Sequence, residues 1–187
     1  PTKEDLRYPF LYRYMKEIPE NGKFAFYDAF WMEEVTDARL EEKLSDKEYE
    51  ETIESINRTE RSLVDNGYLV MKFFFQIGKK EQKERLEKLL DSKDTKWRVD
   101  KGDIYENKHY DESLEVYDKY LKDTNNPTAP WYIIDSKDKK FAELQVLEFL
   151  NQGIETALKN QKTAAPILQN VFPLKKTPLL KEVELKD

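Results

Sequence analysis

The sequence predicts an α/β fold in which helices pack on both faces of a parallel sheet. Short apolar runs alternate with longer stretches whose apolar residues recur at helical spacing. The run 68–77 is apolar and aromatic except at Lys72 and Gln76, which is typical of a strand buried on both faces. We therefore expect three strands, at 23–28, 69–77 and 131–136, in one parallel sheet.

The first predicted helix covers 6–18, where apolar residues recur at helical spacing. Turn residues that start at Pro19 end this helix. The next run, 23–28, is short, apolar and closed by Asp28. It predicts the first buried strand.

A second helix is predicted over 45–66. Ser45 is its expected N-cap and Glu48, three residues on, completes a capping box. Its inner face is expected to carry Tyr49, Ile53, Ile56 and Leu63.

The second half of the chain repeats the alternation of strand and helix. The helix 79–90 follows the second strand and forms a βα unit with it. A long polar helix, 103–122, precedes the third strand, 131–135, and a last helix runs from 137 to about 158. The apolar residues expected to face inward on that last helix are Phe141, Leu144, Leu147 and Leu150.

Length and composition predict one domain, 1–161, followed by a linker or tail, 162–187, with three prolines and no periodicity. Of the 187 residues, 39% are hydrophobic, which is enough for a real core. A net charge of −6 disfavours nucleic acid as a partner. The absence of cysteine excludes thiolate chemistry, and the single histidine, His109, is expected at the surface.

Location is predicted from the absence of targeting signals. No apolar run approaches the roughly 20 residues of a membrane helix, so no membrane partner is expected. The first residues show no signal-peptide pattern, and a cytoplasmic protein is predicted. Because residue 1 is Pro1 and not methionine, we expect the chain to be a piece of a longer protein.

The glycines do not form a phosphate-binding loop. The G-x-x-x-x-G-K-[ST] loop cradles nucleotide phosphates with its backbone amides. Glycine occurs at 22, 67, 78, 102 and 153, and no two of these positions have the required spacing.

Three stretches resemble the family-2 polyphosphate kinases. They are 9–14 (PFLYRY), 26–32 (FYDAFWM) and 124–131 (TNNPTAPW). The resemblance implies a P-loop-kinase-like fold of three layers, αβα, in which this chain lacks the P-loop strand. It further implies a lid at about 79–124.

The resemblance implies Asp28 as a ligand of Mg²⁺, the family's cofactor. The family continues this strand end with Arg-Ser-Trp-Tyr, whereas this chain has Ala29, Phe30, Trp31 and Met32. The lost arginine is a bidentate anion clamp that no neutral residue replaces. The structural alternative is that Asp28 only caps a turn.

In the lid the resemblance implies that Arg85, Lys96 and Arg98 bind polyphosphate. These residues belong to the densest basic run of the chain, 79–98. The alternative is a solvated helix with i,i+4 pairs such as Glu81–Arg85.

The resemblance implies phosphoryl transfer between polyphosphate and a nucleotide, which would be the partners. It is strongest to polyphosphate:AMP phosphotransferases with two fused domains, the first of them degenerate. Our first hypothesis is such a degenerate copy, structural or regulatory, beside an active second domain or in a homo-oligomer. The alternatives are an N-terminally truncated active phosphotransferase and, more weakly, an unrelated α/β interaction domain. A G-x-x-x-x-G-K motif upstream would favour the active enzyme.

Overall fold

The computed structural model describes residues 1–20 and 22–159. The chain divides into two compact units, Pro1–Thr59 and a second that begins at Glu60. Within the described residues the α-helices are α1 Tyr12–Met15, α2 Phe30–Leu40, α3 Asp46–Asp65, α4 Lys79–Asp91, α5 Lys101–Lys108, α6 Tyr110–Thr124 and α7 Lys139–Lys159. The strands are β1 Lys72–Gln76 and β2 Trp131–Asp135, and short 3-10 helices cover Asp5–Arg7 and Lys96–Arg98.

The two strands lie side by side and run parallel, with Lys72 opposite Trp131 and Gln76 opposite Asp135. This confirms the parallel pairing of the second and third predicted strands. The crossover between them contains α4, α5 and α6.

The predicted strand at 23–28 is wrong, because this stretch forms no strand in the structure. Phe24 and Phe26 are exposed. The predicted helix over 6–18 is also wrong over most of its length. Only the 3-10 turn Asp5–Arg7 and the single turn α1 form, separated by a stretch that contains Pro9, and the residue before a proline is disfavoured in helical conformation.

An unpredicted helix, α2, follows Asp28. Its entry is sharp, because Ala29 and Phe30 have positive φ angles of 56° and 44°. Few non-glycine residues adopt that region. Phe30 packs on the ring of Trp31 at 4.3 Å between centroids and on that of Tyr14 at 4.9 Å. Phe30, one of the two residues with the unusual backbone conformation, is thus packed against two other aromatic rings of the first unit.

Helix α3 agrees with its predicted capping box. The backbone amide and hydroxyl of Ser45 donate to the Glu48 carboxylate at 3.0 and 2.5 Å, and Glu48 N donates to Ser45 Oγ at 3.4 Å. The expected inner residues Tyr49, Ile53 and Ile56 are buried, whereas Leu63 is only partly buried.

The core of the second unit lies between β2 and α7. Tyr132 and Ile134 of β2 pack with Ala142 of α7, against a shell of partly buried residues: Leu69, Met71, Phe73, Val146 and Phe149. The Tyr132 ring lies 5.2 Å from that of Phe73 and 4.8 Å from that of Phe149. This core joins the sheet to the last helix.

The predicted inward face of the last helix is wrong. Phe141, Leu144 and Leu147 are more than half exposed, and Leu150 is partly buried. The inward face instead carries Ala142, Val146, Phe149 and Gly153, and its two small residues allow close approach. A Cβ at Gly153 would lie only 2.8 Å from Met71 Sδ.

The predicted helix over 103–122 is two helices, α5 and α6. They separate at His109, whose φ of −104° and ψ of 28° leave the helical region. The predicted tail, 162–187, lies outside the described residues. No helix in the described part of the chain is long and apolar enough to cross a membrane.

Candidate phosphate-binding lid

The segment expected to form a lid, residues 79–124, is anchored to the carboxyl end of β1. Tyr110 donates its hydroxyl to the carbonyl of Ile77 at 2.8 Å. Asn107 Nδ2 donates to Lys79 O at 3.1 Å and to Gln82 Oε1 at 2.9 Å. These bonds tie α5 and the start of α6 to the junction of β1 and α4, the end of a parallel strand where α/β proteins bind ligands.

The corner of the lid is the 3-10 helix Lys96–Arg98. On its amino-terminal side Thr95 Oγ1 donates to the carbonyl of Leu89 at 2.8 Å. On its carboxyl-terminal side α5 begins with a capping box, in which Asp103 N donates to Asp100 Oδ1 and Asp100 N donates to Asp103 Oδ2. The corner is therefore held from both sides by short-range polar contacts.

Two of the predicted polyphosphate ligands, Lys96 and Arg98, lie together at this corner. Both side chains are exposed. Neither forms an ion pair with any residue that the structure describes. Exposed cations without acidic partners are available to an anion, and they provide a local positive site in an acidic chain.

The third predicted ligand, Arg85, is engaged elsewhere. Its Nε donates to Glu81 Oε1 at 2.6 Å, and its Nη2 donates to the carbonyls of Ser136 and Lys137 at 2.9 and 2.8 Å. These bonds connect α4 to the segment after β2. Polyphosphate binding by Arg85 stays a prediction, and it would require the guanidinium to leave these partners.

The predicted magnesium ligand, Asp28, lies in the first unit and its side chain is exposed. Its carbonyl accepts a hydrogen bond from Phe30 N at 2.6 Å. Among the described residues no three His, Asp or Glu side chains converge as a metal cluster. Magnesium is often held by one or two carboxylates together with substrate phosphates. Asp28 fits the ion only as such a single-carboxylate site.

Sequence reasoning missed a buried polar network beneath the lid. Lys72 Nζ donates to Glu60 Oε2 and to the carbonyl of Thr124, each at 2.7 Å, and lies 5.1 Å from the ring centre of Trp131. Asn126 Nδ2 also donates to Glu60, at 3.0 Å. Burial lowers the pKa of Lys72, and Glu60 opposes that shift. The one sequence feature that could have indicated this network is Lys72, a lysine within a mostly apolar predicted strand.

The stretch 124–131 leads from α6 into β2 and is held by hydrogen bonds of its own side chains. Asn126 Oδ1 accepts hydrogen bonds from the backbone amides of Thr128 and Ala129 at 3.1 and 2.8 Å. Trp131 Nε1 donates to Thr124 Oγ1 at 2.9 Å. The loop side chains thus fix the entry into β2.

These elements define an α/β protein in which a charged helical segment is inserted between two adjacent parallel strands. A solved structure shares this fold: polyphosphate kinase 2 from Arthrobacter aurescens superposes with a TM-score of 0.79 at 28% identity. The match covers 83% of this chain and 55% of that one. The fold is therefore of the P-loop-kinase type found in those enzymes.

The family model for polyphosphate kinase 2 matches residues 1–162, and the chain belongs to that family. The Pseudomonas aeruginosa polyphosphate:AMP phosphotransferase is 29% identical over 177 residues, which is 91% of this chain and 36% of that protein. The Meiothermus ruber AMP/ADP-polyphosphate phosphotransferase is 27% identical over 155 residues, which is 83% of this chain and 58% of that protein. The chain thus spans less than two thirds of either relative's length.

Proposed function

We propose that this chain is a polyphosphate-kinase-like domain that binds polyphosphate but does not itself transfer phosphate. It would be a degenerate copy with a structural or regulatory role in the cytoplasm, beside an active second domain or in a homo-oligomer. The observation that carries the proposal is the residue that follows Asp28, which is Ala29 in a left-handed conformation. Ala29 supplies no cation to a phosphate group.

The physical argument is that phosphoryl transfer depends on positioning and charge neutralisation. Lys96 and Arg98 are exposed cations that could neutralise phosphate, and we propose that they bind polyphosphate. Asp28 would hold Mg²⁺ together with phosphate oxygens, and the ion would supply neutralisation of charge on those oxygens. The amide cradle is missing from this chain, because its glycines lack the required spacing.

The second candidate is an active polyphosphate:nucleotide phosphotransferase of which this chain is one part. The retained Asp28 favours it, as do the names of the relatives, which describe transfer between polyphosphate and AMP or ADP. An activity assay separates the two candidates. The purified chain is incubated with long-chain polyphosphate and Mg²⁺, and with AMP, ADP, GMP or GDP in turn.

We expect no nucleotide phosphorylation in this assay. Turnover that disappears in Asp28→Asn but persists in the control Asp91→Asn would overturn the degenerate copy and establish the active enzyme. Asp91 is a suitable control because it lies at the exposed end of α4, in the second unit.

Binding of polyphosphate is tested separately from turnover. The double variant Lys96→Gln/Arg98→Gln is expected to weaken it, and binding to the wild-type chain should fall steeply with added salt. The control Lys139→Gln/Lys140→Gln removes the same charge from exposed positions on α7. Equal binding by the two double variants would contradict the assignment of the lid corner.

A further inference from the structure

One tryptophan of this chain is exposed and the other two are not. Trp97 is 78% exposed, whereas Trp31 and Trp131 are 6% and 7% exposed. Tryptophan carries the largest apolar surface of any side chain, and leaving it in water forgoes the free energy of burying it. A solvent-facing indole between two basic residues therefore calls for a binding role.

The Trp97 indole is fixed at one edge. Its Nε1 donates to the carbonyl of Asp94 at 2.8 Å, three residues before it. The surrounding backbone is tied by Arg98 N to Thr95 O at 2.9 Å and by Val99 N to Lys96 O at 3.3 Å. Because the ring edge is anchored while most of the ring remains accessible, a flat ligand can stack on it at little cost in conformational entropy.

The residues on either side of Trp97 determine the charge of that ligand. Lys96 and Arg98 are exposed and have no acidic partner among the residues described. Long flexible stems allow both cations to reach around the indole. An aromatic face beside two free cations matches a ligand that has a planar base at one end and phosphate at the other.

The corner offers one stacking surface and not a row of them. The next exposed aromatic residue in the lid, Tyr105, already stacks on His109 with ring centroids 4.1 Å apart. Proteins that bind single-stranded nucleic acid stack successive bases on several aromatic rings. A single indole favours a mononucleotide.

We propose that Trp97 is a stacking platform for the base of a nucleotide whose phosphate contacts Lys96 and Arg98. The inference deepens the proposed function, since it rests on polyphosphate and nucleotides being the ligands of this domain. Trp97 would recognise the base of the nucleotide, which Lys96 and Arg98 do not contact. Long-chain polyphosphate should compete with the nucleotide, because both need the same two cations.

The test is a titration of the full chain with AMP, followed by tryptophan fluorescence. Because the other two tryptophans are buried, a change in emission reports on Trp97. Ribose 5-phosphate has the same phosphate and no base, and it is expected to bind more weakly and to leave the emission unchanged. Binding to variants is followed by calorimetry, since substitution removes the fluorescent group.

Trp97→Leu is expected to weaken AMP binding about tenfold, within the range for loss of one base–aromatic stack. Trp97→Phe should restore part of the affinity. As Trp97 is exposed, both variants should keep the unfolding midpoint of the wild-type chain. The proposal is overturned if AMP fails to bind, if Trp97→Leu binds AMP as well as wild type, or if ribose 5-phosphate matches AMP. Binding of an oligonucleotide without binding of AMP overturns it as well.

Polyphosphate binding separates this failure from failure of the proposed function. If polyphosphate binds through Lys96 and Arg98 but AMP does not bind, only the stacking role of Trp97 is lost. If neither ligand binds, the lid corner has no phosphate site, and the proposed function fails with it.

Discussion

Lys72 in β1 donates a hydrogen bond to the carboxylate of Glu60 in α3 at 2.7 Å, and both side chains are buried. The same ammonium donates to the carbonyl of Thr124, the last residue of α6. One lysine thus connects a helix, a strand and the end of the lid. Buried charges are tolerated only when they are paired and hydrogen-bonded, and this lysine meets both conditions.

Removing one partner of this pair should be costly. We expect Lys72→Met to lower the free energy of unfolding by about 3–5 kcal/mol, because it leaves a buried carboxylate without its counter-charge. The double variant Lys72→Met/Glu60→Leu should lose less than Lys72→Met alone. Urea denaturation of the single and double variants measures this coupling. As a control, Lys159→Met breaks an exposed pair with Glu155 and should change little. Additive losses would argue against coupling.

Stability should depend on Tyr132 at high pH. Burial raises the pKa of Tyr132 to about 12, whereas an unperturbed tyrosine titrates near 10. The folded chain therefore keeps a proton that the unfolded chain loses between these values. The contribution is fully present below about pH 10 and is lost as pH rises towards 12. When the pH is raised from about 8 to about 11, the free energy of unfolding measured in urea should therefore fall less for Tyr132→Phe than for the wild-type chain. The exposed Tyr8 provides the control, Tyr8→Phe, which should behave as wild type.

We expect Arg85 to contribute to the stability of the fold. Arg85→Lys keeps the positive charge but cannot reproduce the guanidinium bonds to two carbonyls and Glu81. We expect it to lower the free energy of unfolding by about 1.5–3 kcal/mol, the magnitude for hydrogen bonds that involve a charged group. Polyphosphate affinity should stay close to that of the wild-type chain. An unchanged unfolding midpoint with weaker polyphosphate binding would instead favour a role in ligand binding.

The start of α3 offers a test of its cap. Ser45→Ala removes the hydroxyl that bonds Glu48, and loss of an N-cap typically costs about 1 kcal/mol. The Ser45 hydroxyl lowers the pKa of Glu48, so its contribution is present above the ordinary pKa of glutamate and is lost as pH falls through the lowered value. The difference between the variant and wild type should therefore shrink in acid. Ser55→Ala, at an exposed interior position of α3, is the control, and alanine should be neutral or stabilising there. Equal losses would show that the cap has no special role.

The strands and helices that sequence predicted correctly are those with strong patterns. The aromatic run before Gln76 and the apolar run from Trp131 each pair as expected. The run 23–28 is equally apolar but forms no strand in the structure. Composition predicts an extended, buried segment, whereas a strand also requires a neighbour with which to exchange hydrogen bonds.

The inward face of α7 shows a second limit of pattern reading. Large residues at spacing three suggested the stripe from Phe141 to Leu150, but the packed face carries Ala142 and Gly153 together with Val146 and Phe149. Small residues mark close contact between elements, which a count of large hydrophobic residues overlooks.

In the candidate site, Lys96 and Arg98 could be selected from the sequence because they lie in its densest basic run. The engagement of Arg85 could not be predicted, because its carbonyl partners, Ser136 and Lys137, lie 51 and 52 residues away. Sequence gives the charge of a side chain but not the distant backbone groups that occupy it.

The break at His109 separates two helices with different attachments. Beyond it, α6 is held at its far end, because Thr124 is bound to Lys72 and to Trp131. Before it, α5 is attached through Asn107, and the proposed ligands Lys96 and Arg98 precede this helix. Replacing those two side chains should therefore leave the attachment of α6 intact. A copy of this domain could lose its ligand residues and still fold.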